Sequence, residues 1–216
     1  MPLATLHYIY DPLCGWCYGS SPLVKAARDV EGLEVVLHGG GMLAGARRQL
    51  VTEQLREFVS HHIQRITDMT GQPFGDAYTN GLMRDGTVLL DSEPPTAAIL
   101  AVETATGRGG DMLARLQHLH YVAGRRVFDR ASLAEIAGDI GIERQAFEDA
   151  FAAQLGSAVQ NHISDSRRLL MRVGGQGFPT FVLEHAGALN VLDNSRWMGN
   201  PDGWRTALVT RLGRAG

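Results

Sequence analysis

At 216 residues, with 20 basic against 23 acidic side chains and a formal charge of −3, the chain is long enough for a substantial core and nearly neutral. That balance excludes an electrostatic commitment to nucleic acid or to an anionic membrane surface. No apolar run approaches the roughly 18 residues of a transmembrane helix, and 44% hydrophobic composition is that of an ordinary globular protein.

The amino terminus, Met1 to Tyr8, lacks a basic n-region and an apolar h-region, which predicts no signal peptide and a cytoplasmic protein. Thr5 to Tyr10 read as a first strand, with Leu6, Tyr8 and Tyr10 alternating with Thr5, His7 and Ile9. Next comes Asp11-Pro12-Leu13-Cys14-Gly15-Trp16-Cys17, which holds both cysteines of the protein. Leu23, Val24, Ala26, Ala27 and Val30 then recur at helical spacing, with Pro22 expected to kink that helix about two turns past the dithiol. Glu34 to His38 is a second strand, stopped by Gly39-Gly40-Gly41. The first 40 or so residues thus form a βαβ unit with Cys-x-x-Cys at the first strand-to-helix corner.

The spacing has a chemical meaning. On a helix, i and i+3 side chains share a face, so Cys14 and Cys17 can reach bonding distance. A thiol at a first turn faces unpaired N–H groups and the positive dipole end, both of which favour a thiolate. Cys14 is therefore the expected nucleophile and Cys17, one turn inside, the resolving thiol. Trp16 lies beside them as an apolar contact surface. A structural disulfide is the weaker reading, because an i, i+3 bridge closes a tiny loop and removes little chain entropy. Zinc lacks a ligand set of suitable spacing, and His61-His62, His118 and His120 read as exposed helix faces, so no metal is expected. In a cytoplasmic protein, two paired cysteines are redox-active or sensory before they are structural.

From Val51 to Val173 the pattern is almost wholly helical. Val51, Leu55, Phe58, Val59, Ile63 and Ile66 make one stripe, and Ser92-Glu93-Pro94-Pro95 opens a helix running through Thr106. Met112 to Val122 mark another. Ser132-Leu133-Ala134-Glu135 has capping-box form ahead of Ile136 and Ile140. Phe147, Phe151 and Leu155 continue at i, i+4, i+8, and a last long helix ends at Gly174-Gly175. The glycine-rich interval Thr67 to Asp91 argues for irregular chain. Strand character returns at Phe178 to Glu184, with Ala188 to Leu192 as a hairpin partner. Asn200-Pro201 then caps a closing helix carrying Trp204, Leu208 and Leu212.

With Cys14-Gly15-Trp16-Cys17 at the head and Gly177-Phe178-Pro179-Thr180-Phe181 near the end, the sequence resembles the DsbA family of thioredoxin-fold dithiol oxidoreductases. Within it, Tyr10-Asp11-Pro12 leading into the dithiol is most similar to the FrnE-like branch. The resemblance implies an α/β, thioredoxin-like fold with a large all-helical insertion, in the order βαβ, helical block, αββα. Residues 1–45 and 156–216 would form the thioredoxin-like domain and 46–155 the insertion. It implies a cis Pro179 facing the dithiol, with Phe178 and Trp16 contacting substrate and Gly15 and Pro12 supporting the active site. It implies disulfide exchange with protein or small-thiol substrates, isomerase-like in scope, with no bound cofactor and with glutathione or a thioredoxin-like system as redox partner. Gly15-Trp16 departs from the Pro-His of the founding member, whose cysteine acidity is therefore not carried over, and Phe178 is bulkier than the usual valine or threonine. Kappa-class transferases and hydroxychromene-carboxylate isomerases share the layout but generally keep a single serine where Cys14 stands. The retained pair argues against that alternative. A non-enzymatic redox sensor is the remaining one.

Overall fold

The computed structural model describes residues 2–213 and builds the fold around a four-stranded sheet. Strand β1 (Ala4–Tyr10) runs centrally, parallel to β2 (Leu33–Gly39) on one side and antiparallel to β5 (Thr180–His185) on the other; β6 (Ala188–Leu192) pairs with β5 at the edge. His185 pairs with Ala188, leaving a two-residue turn, Ala186-Gly187, with φ of 50° and 78°. Such turns need positive φ at both positions, which glycine adopts freely.

Both sheet faces are covered, so β1 is buried along most of its length. Leu6, Tyr8 and Tyr10 share a core with Phe181, Trp204 and Leu208. That side carries α2 (Ser21–Arg28) and the closing helix α9 (Pro201–Gly213), whose first turn is capped by Asn200 Oδ1 accepting from the Gly203 N–H at 3.0 Å. Ile9 and Val182 point the other way, against Leu169 of α8 (Ser157–Arg172).

The helix that carries Cys17 breaks earlier than its sequence predicts. It comprises α1 (Gly15–Gly19) and then α2, with the interruption at Ser20 and proline in the first turn of α2. Pro22 has no N–H to offer the carbonyl one turn back, that of Tyr18. The Gln72 side-chain amide supplies a donor to that oxygen at 3.4 Å.

The helical block is α3 (Glu53–Thr70), α4 (Glu93–Thr106), α5 (Gly109–Tyr121), α6 (Arg130–Asp139) and α7 (Arg144–Gln154). Three local expectations are corrected. The capping box at Ser132 does not form, because α6 begins two residues earlier; Ser132 and Glu135 instead accept hydrogen bonds from Arg125. His120 is buried, not exposed, and His62 is half-buried. The interval Thr67 to Asp91 is irregular only after Thr70, and it contributes β4 (Leu89–Leu90), a two-residue partner for β3 (Gln49–Leu50). Strands that short leave no period for sequence to display.

Candidate active site

The site grows out of the end of β1. Asp11 to Cys14 is a tight turn, closed by the Cys14 N–H donating to the Asp11 carbonyl at 3.2 Å. Pro12 occupies the second turn position, where its fixed φ is preorganised. The Asp11 carboxylate accepts from the Leu13 N–H at 2.8 Å, a local bond that aspartate favours in turns.

Asp11 does more than shape the turn. It is fully buried and also accepts from the Met42 N–H, which follows β2, and from the Ser92 hydroxyl at 3.0 Å, just before α4. One carboxylate thus fastens the dithiol turn, the loop after β2 and the helical block. Burial pushes its pKa up to about 6, although all three donors and the charge of Arg167 pull it down. Desolvation outweighs them. Sequence reading assigned Asp11 no role of its own; the available signal was an acid set between an apolar strand and the first cysteine.

Cys14 immediately precedes α1 and is 6% exposed, while Cys17 is fully buried. Both are free thiols. The Cys14 thiol donates to the Phe178 carbonyl at 3.6 Å. The Phe178–Pro179 peptide bond is cis, as the family resemblance implied. Burial pushes the Cys17 thiol well up, reinforced by the adjacent Cys14 and by the charge of Asp11. The Cys17 carbonyl is held by the Tyr8 hydroxyl at 3.2 Å and the Ser20 hydroxyl at 3.0 Å, tying the dithiol helix to β1.

Gly15 and Gly19, four apart, let α3 approach α1. A Cβ on Gly15 would lie 3.1 Å from Ile66, and one on Gly19 would lie 2.8 Å from it. Gly15 therefore makes room for the Ile66 side chain of α3. Trp16 projects from the same turn, its indole N–H donating to His62 Nδ1 at 3.1 Å and its ring lying under the Arg65 guanidinium at 5.6 Å.

Cys14, Trp16 and Phe178 border a cleft of about 380 Å³ that runs between the sheet end and the helical block. Its walls are mainly apolar, with Met42, Ile63 and Ile66 near the dithiol and Tyr78, His120 and Tyr121 further in. Burial depresses the His120 pKa to about 4, so this imidazole is neutral at physiological pH. Phe58, 61% exposed, stands at the cleft's edge against His62. The structure thus brings together Cys14, Cys17, Gly15, Trp16 and Phe178, with Pro12 in the turn behind and Pro179 joined to Phe178. Glu184 of β5 lies on the sheet face away from the dithiol, where its carboxylate meets the His7 ring at 2.9 Å. Among the described residues, no group of three or more His, Cys, Asp or Glu side chains is arranged to hold a metal.

A dithiol between a βαβ unit and a strand led by a cis-proline, with helices inserted between, defines a thioredoxin-like disulfide-exchange protein. The chain belongs to the family of DSBA-like thioredoxin domains, whose pattern it matches over residues 5–203. It is similar to the cytosolic disulfide reductase DsbM of Pseudomonas aeruginosa, with 52% identity and a TM-score of 0.92 over 98% of this chain and 100% of that one. The same reductase solved with glutathione matches at 51% identity and a TM-score of 0.89, over 96% and 98% of the two chains. A Nitrosomonas europaea protein described as a disulfide isomerase shares the fold at 23% identity and a TM-score of 0.79, covering 99% of each chain. Comparison with curated protein sequences returns no match. The chain is a thiol–disulfide oxidoreductase of this family.

Proposed function

We propose that the protein is a cytoplasmic disulfide reductase acting on protein or small-thiol disulfides, with Cys14 as nucleophile and Cys17 as resolving thiol. The observation that carries this is the Cys14 thiol at the cleft mouth, 3.6 Å from the Phe178 carbonyl, with the fully buried Cys17 one turn behind it. The Cys14 thiolate attacks one sulfur of the substrate disulfide; that S–S bond breaks, a mixed disulfide forms and the first thiolate leaves. Cys17 loses its proton and displaces the second thiolate, leaving the substrate reduced by two electrons and the Cys14–Cys17 pair oxidised. Two equivalents of glutathione, or one reduced thioredoxin-like dithiol, restore the pair. The two sulfurs carry the exchange, so no resident cofactor takes part.

Phe178 and Pro179 position the partner, whose extended backbone would lie along the Phe178 carbonyl, and Trp16 supplies an apolar wall. On this reading the Cys17 proton passes to Asp11, a reading supported by the carboxyl's burial, which pushes its pKa up to about 6, and by the effect of its charge on the Cys17 thiol. Cytoplasmic location is supported by the cytosolic relative. The test is a pair of serine variants. Cys14→Ser should abolish disulfide turnover, and Cys17→Ser should accumulate mixed disulfides on Cys14, read by mass spectrometry. Turnover retained in Cys14→Ser overturns the assignment, and absence of any trapped adduct removes Cys17 from the resolving role.

A further inference from the structure

Beside the dithiol, the Gly40–Gly41 turn that follows β2 gathers two arginines. Arg167 of α8 donates through Nε to the Gly40 carbonyl and through Nη2 to the Gly41 carbonyl, each at 2.7 Å. Arg47 donates through Nη2 to that same Gly41 carbonyl at 3.4 Å. Two guanidinium groups thus converge on one oxygen. Among the described residues, neither has a carboxylate partner within 4.0 Å, whereas the neighbouring Arg48 reaches Asp91 at 3.7 Å. Partial burial and the charge of Arg47 lower the Arg167 pKa, while the buried Asp11 carboxylate acts the other way without pairing with it directly. Most of their N–H donors remain unspent, since a guanidinium carries five.

This turn is continuous with the active site. A Cβ on Gly40 would fall 2.2 Å from the Phe178 ring, so the ring packs on the bare backbone there, and Phe178 is the residue whose carbonyl receives the Cys14 thiol. Met42, the next residue along, lines the cleft together with Cys14 and Phe178. A tripeptide thiol spans about 10 Å when extended, and a guanidinium fork matches a carboxylate's geometry.

We propose that Arg47 and Arg167 form a carboxylate-binding subsite that holds an anionic peptide thiol of the glutathione type while its sulfur exchanges with Cys14. The inference rests on the disulfide-exchange reading above and names its small-thiol substrate class. The step is balanced: the reduced dithiol gives two electrons to glutathione disulfide, one glutathione leaves as the Cys14 mixed disulfide forms, and the second leaves as Cys17 closes the pair.

Arg47 is exposed and its one hydrogen bond is long, so Arg47→Glu leaves the Arg167 cradle standing; Arg167→Lys is the companion variant, and Arg48→Glu is the control for general charge. Oxidation of the reduced protein by glutathione disulfide should slow about fivefold in Arg47→Glu, the scale of one exposed ion pair. Oxidation by the neutral bis(2-hydroxyethyl) disulfide should not change. Alkylation of Cys14 should show the same selectivity, with iodoacetate slowed relative to iodoacetamide, and S-methylglutathione should protect the native protein but not the variant. Equal slowing with both disulfides, no slowing with either, or an equal effect of Arg48→Glu would overturn the subsite. If neither disulfide oxidises even the native dithiol, the exchange reading fails, and the alkylation ratio then decides the subsite alone.

Discussion

Asp11 is the residue whose environment conflicts most with its chemistry. A carboxyl with a pKa of about 6 in the fold and 3.8 outside it binds its proton more tightly when folded. Any stability this gives is therefore complete below about pH 4 and is lost as pH rises through 6. Ionised at neutral pH, the group costs on the order of 3 kcal/mol. Urea unfolding of the native protein and of Asp11→Asn across pH 4 to 7 should reveal it: their stability difference should shift by about that amount in favour of the variant as pH rises. A pH-independent difference would mean that the carboxyl is not desolvated. Cys14 and Cys17 were legible in the sequence because their spacing has one economical chemical meaning. Asp11 was not, because a lone acid beside proline reads as a solvated turn until Met42 and Ser92, distant in sequence, are seen to close over it.

At the scale of elements, hydrophobic period and punctuation carried far. β1, β2, the β5–β6 hairpin and most helices stand close to where alternation, prolines and glycines place them, and Gly174, with φ of 69°, follows α8 as a helix-ending glycine should. What failed depended on partners. Ser132 and Glu135 fit a capping box, yet Arg125 engages both. His120 looked exposed beside His118, but it lies under Tyr78 and Tyr121. The seam between α1 and α3 was equally hidden, because nothing local says that Ile66 will lie on Gly19. Alanine is the better helix former, yet Gly19→Ala should destabilise the protein by about 1–3 kcal/mol through overpacking against the Ile66 Cγ2 methyl. Adding Ile66→Ala should recover part of the loss specific to the clash, measured as non-additivity in a double-mutant cycle. Strict additivity would mean that the two do not press on one another.

Across the whole molecule, the sheet and the helical block are built for each other at the dithiol. We read residues 1–45 and 156–216 as the thioredoxin-like unit and 46–155 as the insertion, with Asp11 bonding across that division to Ser92 and α3 packing on α1. The order βαβ, helices, αββα was readable from periodicity; the cleft was not, because its walls come from segments far apart in the chain. In the proposed exchange, substrate meets the Cys14 sulfur at a mouth with an apolar interior on one side and the Gly40–Gly41 turn on the other. The most direct measurement is a glutathione redox titration of the Cys14–Cys17 pair, followed by tryptophan fluorescence with Trp16 as reporter. A reductase role predicts that the pair closes reversibly with a potential near about −270 mV. A pair that never closes, or one that closes near about −120 mV as strong oxidants do, would contradict it.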